Sequence, residues 1–356
     1  MNANVQFSSP LKSGGAPDVG SQHAQDASNP MSNPMTIDEV AASSEAVITE
    51  IERAVVGKRE QLQMILMAFL ANGHVLIDDV PGVAKTLVAR SFSQVFGMSF
   101  ARLQMTPDVL PSDITGSQVL DAARNLVFRP GPIFANLLLA DEVNRATPKA
   151  QAALLEAMEE RQVSADGVTH QLDRPFLVIA TQNPVEFEGT YPLPEAQLDR
   201  FLLRMKIGYP SIEDEWTMVE RRLARGQDES NLQMVVSKVQ LLRAQRGVER
   251  VHVSEVVGRY AVACVRATRS LPNVTVGSSP RGTLAIVKLA RARAALDGRG
   301  FVLPDDVKAV APSALVHRLM LSPEMWVRGV EPSSVVQTAL STVPVPSAAE
   351  AIRPTS

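Results

Sequence analysis

An α/β fold built on a doubly wound parallel sheet, followed by a smaller all-helical domain, is what this sequence predicts, on three observations. The compact apolar runs His74-Val75-Leu76-Ile77, Leu137-Leu138-Leu139-Ala140 and Phe176-Leu177-Val178-Ile179-Ala180 lack the alternation of half-exposed strands, so they read as strands covered on both faces. Helical periodicities lie between them, which is the alternation that builds a parallel sheet. After Tyr209-Pro210 the strand signal fades, and the rest reads as helices broken by Gly, Pro and Ser.

Residues 1–35 are rich in Ser, Gly, Pro, Asn and Ala, with too few large apolar side chains to offset the entropy of ordering, and are expected to form a disordered tail. Thr36-Ile37-Asp38 opens a helix with Val40, Val47, Ile48, Ile51 and Val55 near helical spacing. The run 64–71 is too short to span a membrane and reads as a buried helix segment. A helix from Lys85 carries Leu87, Val88, Phe92, Val95 and Phe96 on a core face and stops at Gly97. A further strand is expected near 100–105. Thr147 caps, and Pro148 begins, a helix carrying Ala153, Leu154, Ala157 and Met158. The clearest later helix starts at Ser279-Pro280-Arg281 and ends before Asp297-Gly298. The expected organisation is a tail at 1–35, an αβ domain at 36–210, a helical domain at 211–345 and a flexible C-terminus at 346–356.

At 356 residues and 45% hydrophobic content the chain can fill two modest cores. A formal charge of −3 gives no global field for nucleic acid or anionic lipid. A single cysteine, Cys264, excludes an intramolecular disulfide, and scattered histidines offer no zinc cluster, so a reducing cytoplasmic setting fits. Neither a signal-peptide pattern nor an apolar run of ~18 residues is present, which predicts no membrane insertion.

The loop Asp79-Val80-Pro81-Gly82-Val83-Ala84-Lys85-Thr86 lies between a predicted strand and helix, where backbone N–H groups can wrap phosphates. Lys85 would bridge the β- and γ-phosphates of a nucleotide and Thr86 would ligate Mg²⁺. Asp79 and Ala84 replace both glycines of the generic G-x-x-x-x-G-K-[ST] pattern; if position 84 needs positive φ, its Cβ costs roughly 1–2 kcal/mol. Alone, the loop fits an ordinary Gly-Lys turn equally well. Asp141-Glu142 ends a buried strand, where Asp141 can hold Mg²⁺ through water and Glu142 can polarise an attacking water; an acidic helix start is the alternative. Asn183 ends the next strand, between attacking water and γ-phosphate or simply in an Asx-turn before Pro184. Arg200 and Arg281 could add charge stabilisation, or be ordinary surface arginines.

Taken in order, Asp-Val-Pro-Gly-Val-Ala-Lys-Thr, Leu-Leu-Ala-Asp-Glu-Val-Asn-Arg-Ala, Ala-Thr-Gln-Asn-Pro and Leu-Pro-Glu-Ala-Gln-Leu-Asp-Arg-Phe resemble the MoxR family of AAA+ ATPases, over about residues 55–319. The missing loop glycines are a familiar variant there. The resemblance assigns Lys85 and Thr86 to Walker A, continuing into Leu87, and Asp141 and Glu142 to Walker B. It makes Asn183 sensor 1, Arg200 the arginine finger, Arg281 sensor 2 and Val56-Gly57 the adenine-side segment. Residues 114–134, with Phe128-Arg129-Pro130-Gly131-Pro132, resemble the clade's helix-2 insertion, and 160–174 its pre-sensor-1 hairpin. That hairpin faces a pore or client in related rings, or is an ordinary hairpin turning at Ala165-Asp166-Gly167.

The resemblance implies an ATP- and Mg²⁺-dependent P-loop ATPase working as a hexameric ring, with Arg200 reaching the nucleotide of a neighbouring subunit. It also implies that Arg281 contacts nucleotide from the lid side, so that hydrolysis alters the angle between core and lid. Its work would be chaperone-like remodelling or maturation of a client protein complex, sometimes with metal-cofactor insertion. A von Willebrand A-domain partner would lie on another chain, because no Asp-x-Ser-x-Ser motif occurs here. A nucleic-acid motor and a nonhydrolysing scaffold are the alternatives; near-neutral charge weighs against the first, and the set Glu142, Asn183 and Arg200 against the second.

Overall fold

The computed structural model sets Met1–Asn33 apart from a compact unit, Pro34–Ser356, and describes residues 33–165, 167–184, 189–227, 231–272 and 274–347. The expected tail lies outside these residues as far as 32. By Met35 the chain is packed: that side chain is buried and its N–H donates to Arg243 O at 3.1 Å, so Met35 is not part of a disordered segment. Thr36 and Glu39 form a capping box that starts α1 (Ile37–Glu52), followed by α2 (Arg59–Leu70). Next come β1 (Val75–Asp78), α3 (Lys85–Val95) and β2 (Phe100–Gln104). A short α4 (Pro111–Thr115) leads into the hairpin β3 (Gly116–Leu120) and β4 (Leu126–Pro130).

β5 (Leu137–Asp141) precedes α5 (Pro148–Glu160), whose Thr147 cap accepts the N–H of Ala150. A second hairpin pairs β6 (Gln162–Ala165) with β7 (Val168–Gln171); its expected turn residue Asp166 lies outside the described residues. Rings of the two hairpins meet, Phe128 stacking on His170 at a centroid distance of 4.0 Å. β8 (Leu177–Gln182), α6 (Glu195–Leu198) and β9 (Leu203–Met205) complete the αβ region. The strand order is β2-β5-β8-β1-β9, with every neighbouring pair parallel. The doubly wound sheet of the sequence reading is present.

Beyond it run α7 (Ile212–Arg225), α8 (Lys238–Val248), α9 (Glu255–Ala267), β10 (Val274–Val276), α10 (Pro280–Leu296), α11 (Pro304–Leu315), β11 (Met320–Leu321), α12 (Pro323–Val327) and α13 (Pro332–Ser341). The lid is helical apart from the small antiparallel β10-β11 ladder.

Side-chain alternation divides the sheet between two apolar clusters. Val75, Ile77, Leu137, Leu139, Leu177 and Ile179 face α1, α2 and α3, in a cluster continuous with the lid through Ile286, Leu289, Val310 and Leu315. Leu76, Leu138, Ala140, Val178 and Ala180 face α5, with Ile114 and Ile133 beneath the first hairpin. The cores thus divide by sheet face, and the lid has no separate one. Leu87, expected on the core face of α3, is 38% exposed, whereas Val88, Phe92, Val95 and Phe96 are buried as expected. α7 buries none of its residues, although Ile212, Trp216, Val219 and Leu223 recur at helical spacing. Among the described residues no helix is long and apolar enough to cross a membrane.

Candidate active site

The loop after β1 contains the two residues whose backbone the phosphate reading requires. Gly82 has φ 88°, and Ala84, the residue before α3, has φ 61° and ψ 21°. Left-handed residues within a turn aim successive N–H groups inward, which makes an anion-binding concavity at the start of α3. The ammonium of Lys85 donates to Asp79 O at 2.6 Å. Burial lowers its pKa from the usual lysine value, while Asp141, Asp79, Glu142 and Asp78 pull the other way.

Asp79 stands where the generic pattern has glycine, and its carboxylate explains why. Oδ2 accepts the N–H groups of Ile207 (2.7 Å) and Gly208 (2.6 Å), and Oδ1 accepts that of Val80 (2.9 Å). The loop is thereby pinned to the stretch that follows β9. Lys58 reaches the same stretch, donating to Ile207 O at 3.1 Å and Tyr209 O at 2.8 Å. Gly57, with φ 67°, abuts α7 so closely that a Cβ would strike the carboxylate of Asp214. Val56-Gly57 and the phosphate loop are therefore anchored to one linker.

Asp141 and Glu142 leave β5 at the carboxyl edge of the sheet, where parallel sheets bind ligands. Thr181 ties them together: its hydroxyl donates to Asp141 Oδ1 at 2.6 Å and accepts the N–H of Glu142 at 2.8 Å. Arg102 donates to Asp141 Oδ2 at 2.6 Å. Glu142 has φ 57° and ψ 51°, a strained left-handed conformation for a residue with a side chain. Its Oε2 accepts Gln104 Nε2 at 2.6 Å and Arg145 Nη1 at 3.1 Å. Asn183 is buried just beyond β8. A hard cation takes oxygen ligands, and Asp141 Oδ1, which accepts only the Thr181 hydroxyl, keeps a lone pair for one, while Oδ2 is taken by two N–H groups of Arg102. With Thr86 in the first turn of α3, these residues fit Mg²⁺.

The two arginines lie elsewhere. Arg200 Nε is 2.9 Å from Glu159 Oε2, and Arg281 Nη2 is 3.0 Å from Glu159 Oε1. Glu159 sits in the last turn of α5, where Met158 O is 3.1 Å from the ring of His74, the residue just before β1. Leu202, two residues after Arg200, donates its N–H to His74 O at 2.9 Å. Both arginines are therefore at the amino edge of the sheet. Lys85, Asp141, Glu142 and Asn183 are at the carboxyl edge, about 13 Å away for a strand of four residues at ~3.3 Å each. Arg281, expected to contact nucleotide from the lid side, stands on a helix packed beside α1 and α2, and its guanidinium shares a carboxylate with Arg200.

Comparisons with known proteins agree with this architecture. A family model described as "ATPase family associated with various cellular activities (AAA)" matches residues 74–203, and an "AAA lid domain" model matches residues 266–339. "Chaperone MoxR1" of Mycobacterium tuberculosis is 42% identical over 85% of this chain and 82% of its own length. The chain belongs to the MoxR family of AAA+ ATPases. "Uncharacterized protein YeaC" of Bacillus subtilis is 46% identical over 86% of this chain and 96% of its own. A crystal structure of a Cytophaga hutchinsonii protein, 35% identical, superposes with a TM-score of 0.82, covering 92% of this chain and all 100% of that one.

In this MoxR-family chain, Val56-Gly57, the loop 79–86, Asp141, Glu142 and Asn183 gather around one edge of the sheet. Sequence reasoning assigned no role to Arg102, Gln104, Arg145, Glu159, Thr181 or Asp199. A signal existed for the first two, since polar residues at i and i+2 of a predicted strand share a face and the neighbouring strand carries the acidic pair. Glu159 had none, because a glutamate ending a helix reads as a solvated residue.

Proposed function

We propose that this chain hydrolyses ATP within a hexameric ring of identical subunits and uses the cycle to remodel or mature client protein complexes. In this reading residues 79–87 cradle the triphosphate, with Lys85 on the β- and γ-phosphates and Val56-Gly57 beside the adenine. Thr86, and Asp141 through water, would hold Mg²⁺, which when bound supplies charge neutralisation on the phosphates. Glu142 takes the proton of the attacking water, and Asn183 orients that water.

One observation carries hydrolysis beyond binding. Glu142 is held in a strained backbone conformation at the carboxyl edge of the sheet, with Oε2 fixed by Gln104 and Arg145, which aims its carboxylate as a base. Assembly is supported by the separation of Arg200 and Arg281 from their own phosphate loop. Both arginines belong, in this reading, to the site of the neighbouring subunit, where an arginine supplied in trans stabilises phosphoryl-transfer charge. A client complex, a von Willebrand A-domain protein on a separate chain, metal-cofactor insertion and a cytoplasmic setting follow from the family resemblance. The single cysteine, Cys264, is buried and free, which agrees with a reducing compartment.

Multiple-turnover hydrolysis by Glu142→Gln and Lys85→Ala tests the reading. Glu142→Gln should keep ATP affinity and lose turnover by roughly 10²-fold or more, whereas Lys85→Ala should lose affinity itself. Hydrolysis by Glu142→Gln at the wild-type rate would remove the assigned base.

A further inference from the structure

A buried guanidinium has five N–H donors to satisfy. Arg318, only 5% exposed in the turn between α11 and β11, finds five acceptors. Nε donates to Asp199 Oδ1 at 2.6 Å. Nη2 donates to Phe201 O at 2.7 Å and Asp199 O at 3.2 Å. Nη1 donates to Leu202 O at 3.3 Å and to Ala314 O at the end of its own lid helix. All but the last acceptor belong to residues 199–202. Buried His317 adds a bond from Nε2 to Phe201 O at 3.1 Å. Burial, then the charges of Arg318 and Arg204, push its pKa well below the usual histidine value, so the neutral ring donates through Nε2.

The gripped segment contains Arg200. Lid groups hold the backbone on both sides of it, at Asp199 and Phe201, and leave its side chain to Glu159. Asp199 Oδ2 also lies 3.8 Å from Arg281 Nε, so a single carboxylate touches both lid arginines. We propose that Arg318, assisted by His317, is a positioning residue that fastens residues 199–202 to the lid, so that Arg200 and Arg281 are presented to the neighbouring subunit's nucleotide as one unit. The proposal rests on the reading that Arg200 acts across a subunit interface. Lysine cannot substitute, because three donors on a flexible stem do not reproduce a planar fork of five.

The test uses full-length subunits mixed into rings. Lys85→Ala subunits supply arginines but no functional ATP site, and Arg200→Ala subunits supply a site but no finger. Their mixture should recover turnover that neither has alone; if it does not, the interface reading falls and the proposal with it. With that control in place, Lys85→Ala/Arg318→Lys should fail to activate Arg200→Ala, at least tenfold below what Lys85→Ala achieves. Arg318→Lys mixed with Lys85→Ala should be activated as well as Arg200→Ala is, with ATP affinity within twofold of wild type. A merely structural role would impair both directions equally, and that result overturns the proposal, as does full activation by the double variant. If Arg318→Lys does not melt cooperatively, His317→Leu and His317→Gln take its place. The glutamine retains a donor and should activate, the leucine should not, and equal activation by the two overturns the proposal.

Discussion

At position 84 an alanine holds a conformation that glycine adopts without cost, and two residues earlier Gly82 holds a similar one. The two positions should respond in opposite senses. Ala84→Gly relieves a left-handed Cβ, about 1–2 kcal/mol, against about 0.4–1 kcal/mol of added unfolded-state entropy, so stability should be unchanged or slightly higher. Gly82→Ala adds a Cβ that meets nothing within 4 Å, so its cost is purely that of the backbone and should be about 1 kcal/mol. Urea unfolding of both variants, with a shift of the same sign in each, would contradict this account of the loop. At the first loop position the sequence pattern was misleading in a different way. Asp79 is there for its carboxylate, which binds the N–H groups of Ile207 and Gly208, and no motif template reveals a partner 128 residues away.

Among the elements, the joint between α5 and β8 is set by His74. Its Nδ1 accepts the N–H of Val178 at 3.0 Å, so the ring proton is on Nε2 and is donated to Met158 O. Burial, then the charge of Arg161, lowers its pKa to about 3. The sign of the linkage follows: below the ordinary histidine pKa of about 6.5 the unfolded chain binds a proton that the folded chain refuses, so stability falls as pH falls. The slope from this group approaches about 1.4 kcal/mol per pH unit. His74→Gln should unfold at lower denaturant at neutral pH yet show a shallower loss between pH 6.5 and 5, measured by denaturant titration at each pH. A parallel loss in wild type and variant would contradict the neutral ring. At the same scale, most strands and helices were legible, because apolar runs without alternation require cover on both faces. The lid's relation to the core was not, since apolar helix faces do not state which sheet face they will share. α7 shows the limit well: its apolar residues recur at helical spacing, and within the described chain none of its residues is buried.

For the molecule as a whole, the two edges of the sheet separate, in the proposed reading, the residues that hold nucleotide from those a subunit would lend to its neighbour. Lys85, Asp141, Glu142 and Asn183 serve the carboxyl edge, and Arg200 and Arg281 meet on Glu159 at the amino edge. Hydrolysis should therefore depend on assembly, with specific activity rising with protein concentration and low when the ring is dissociated. Arg281→Ala should behave like Arg200→Ala, losing turnover by at least tenfold while the dissociated chain binds a fluorescent ATP analogue with wild-type affinity. Loss of that affinity would return Arg281 to its own nucleotide site. So would normal turnover from a verified monomer, measured together with its sedimentation.

The sequence alone determined four strands of the sheet, β1, β2, β5 and β8, but not β9 or the strand order, together with the loop 79–86 and the acidic pair at the end of β5, because local hydrophobic pattern and strand ends encode them within a few residues. It also determined the family, since long motifs in fixed order are specific even where single ones are not. Tertiary structure alone decided that Asp79 anchors the loop, that Thr181 joins Asp141 to Glu142, and that Glu159 and Asp199 gather arginines from core and lid. Each of these partnerships spans between 39 and 129 residues. A lone carboxylate or guanidinium reads as a solvated group, and only the return of the chain supplies the hydrogen-bond or charged partner that gives it a role.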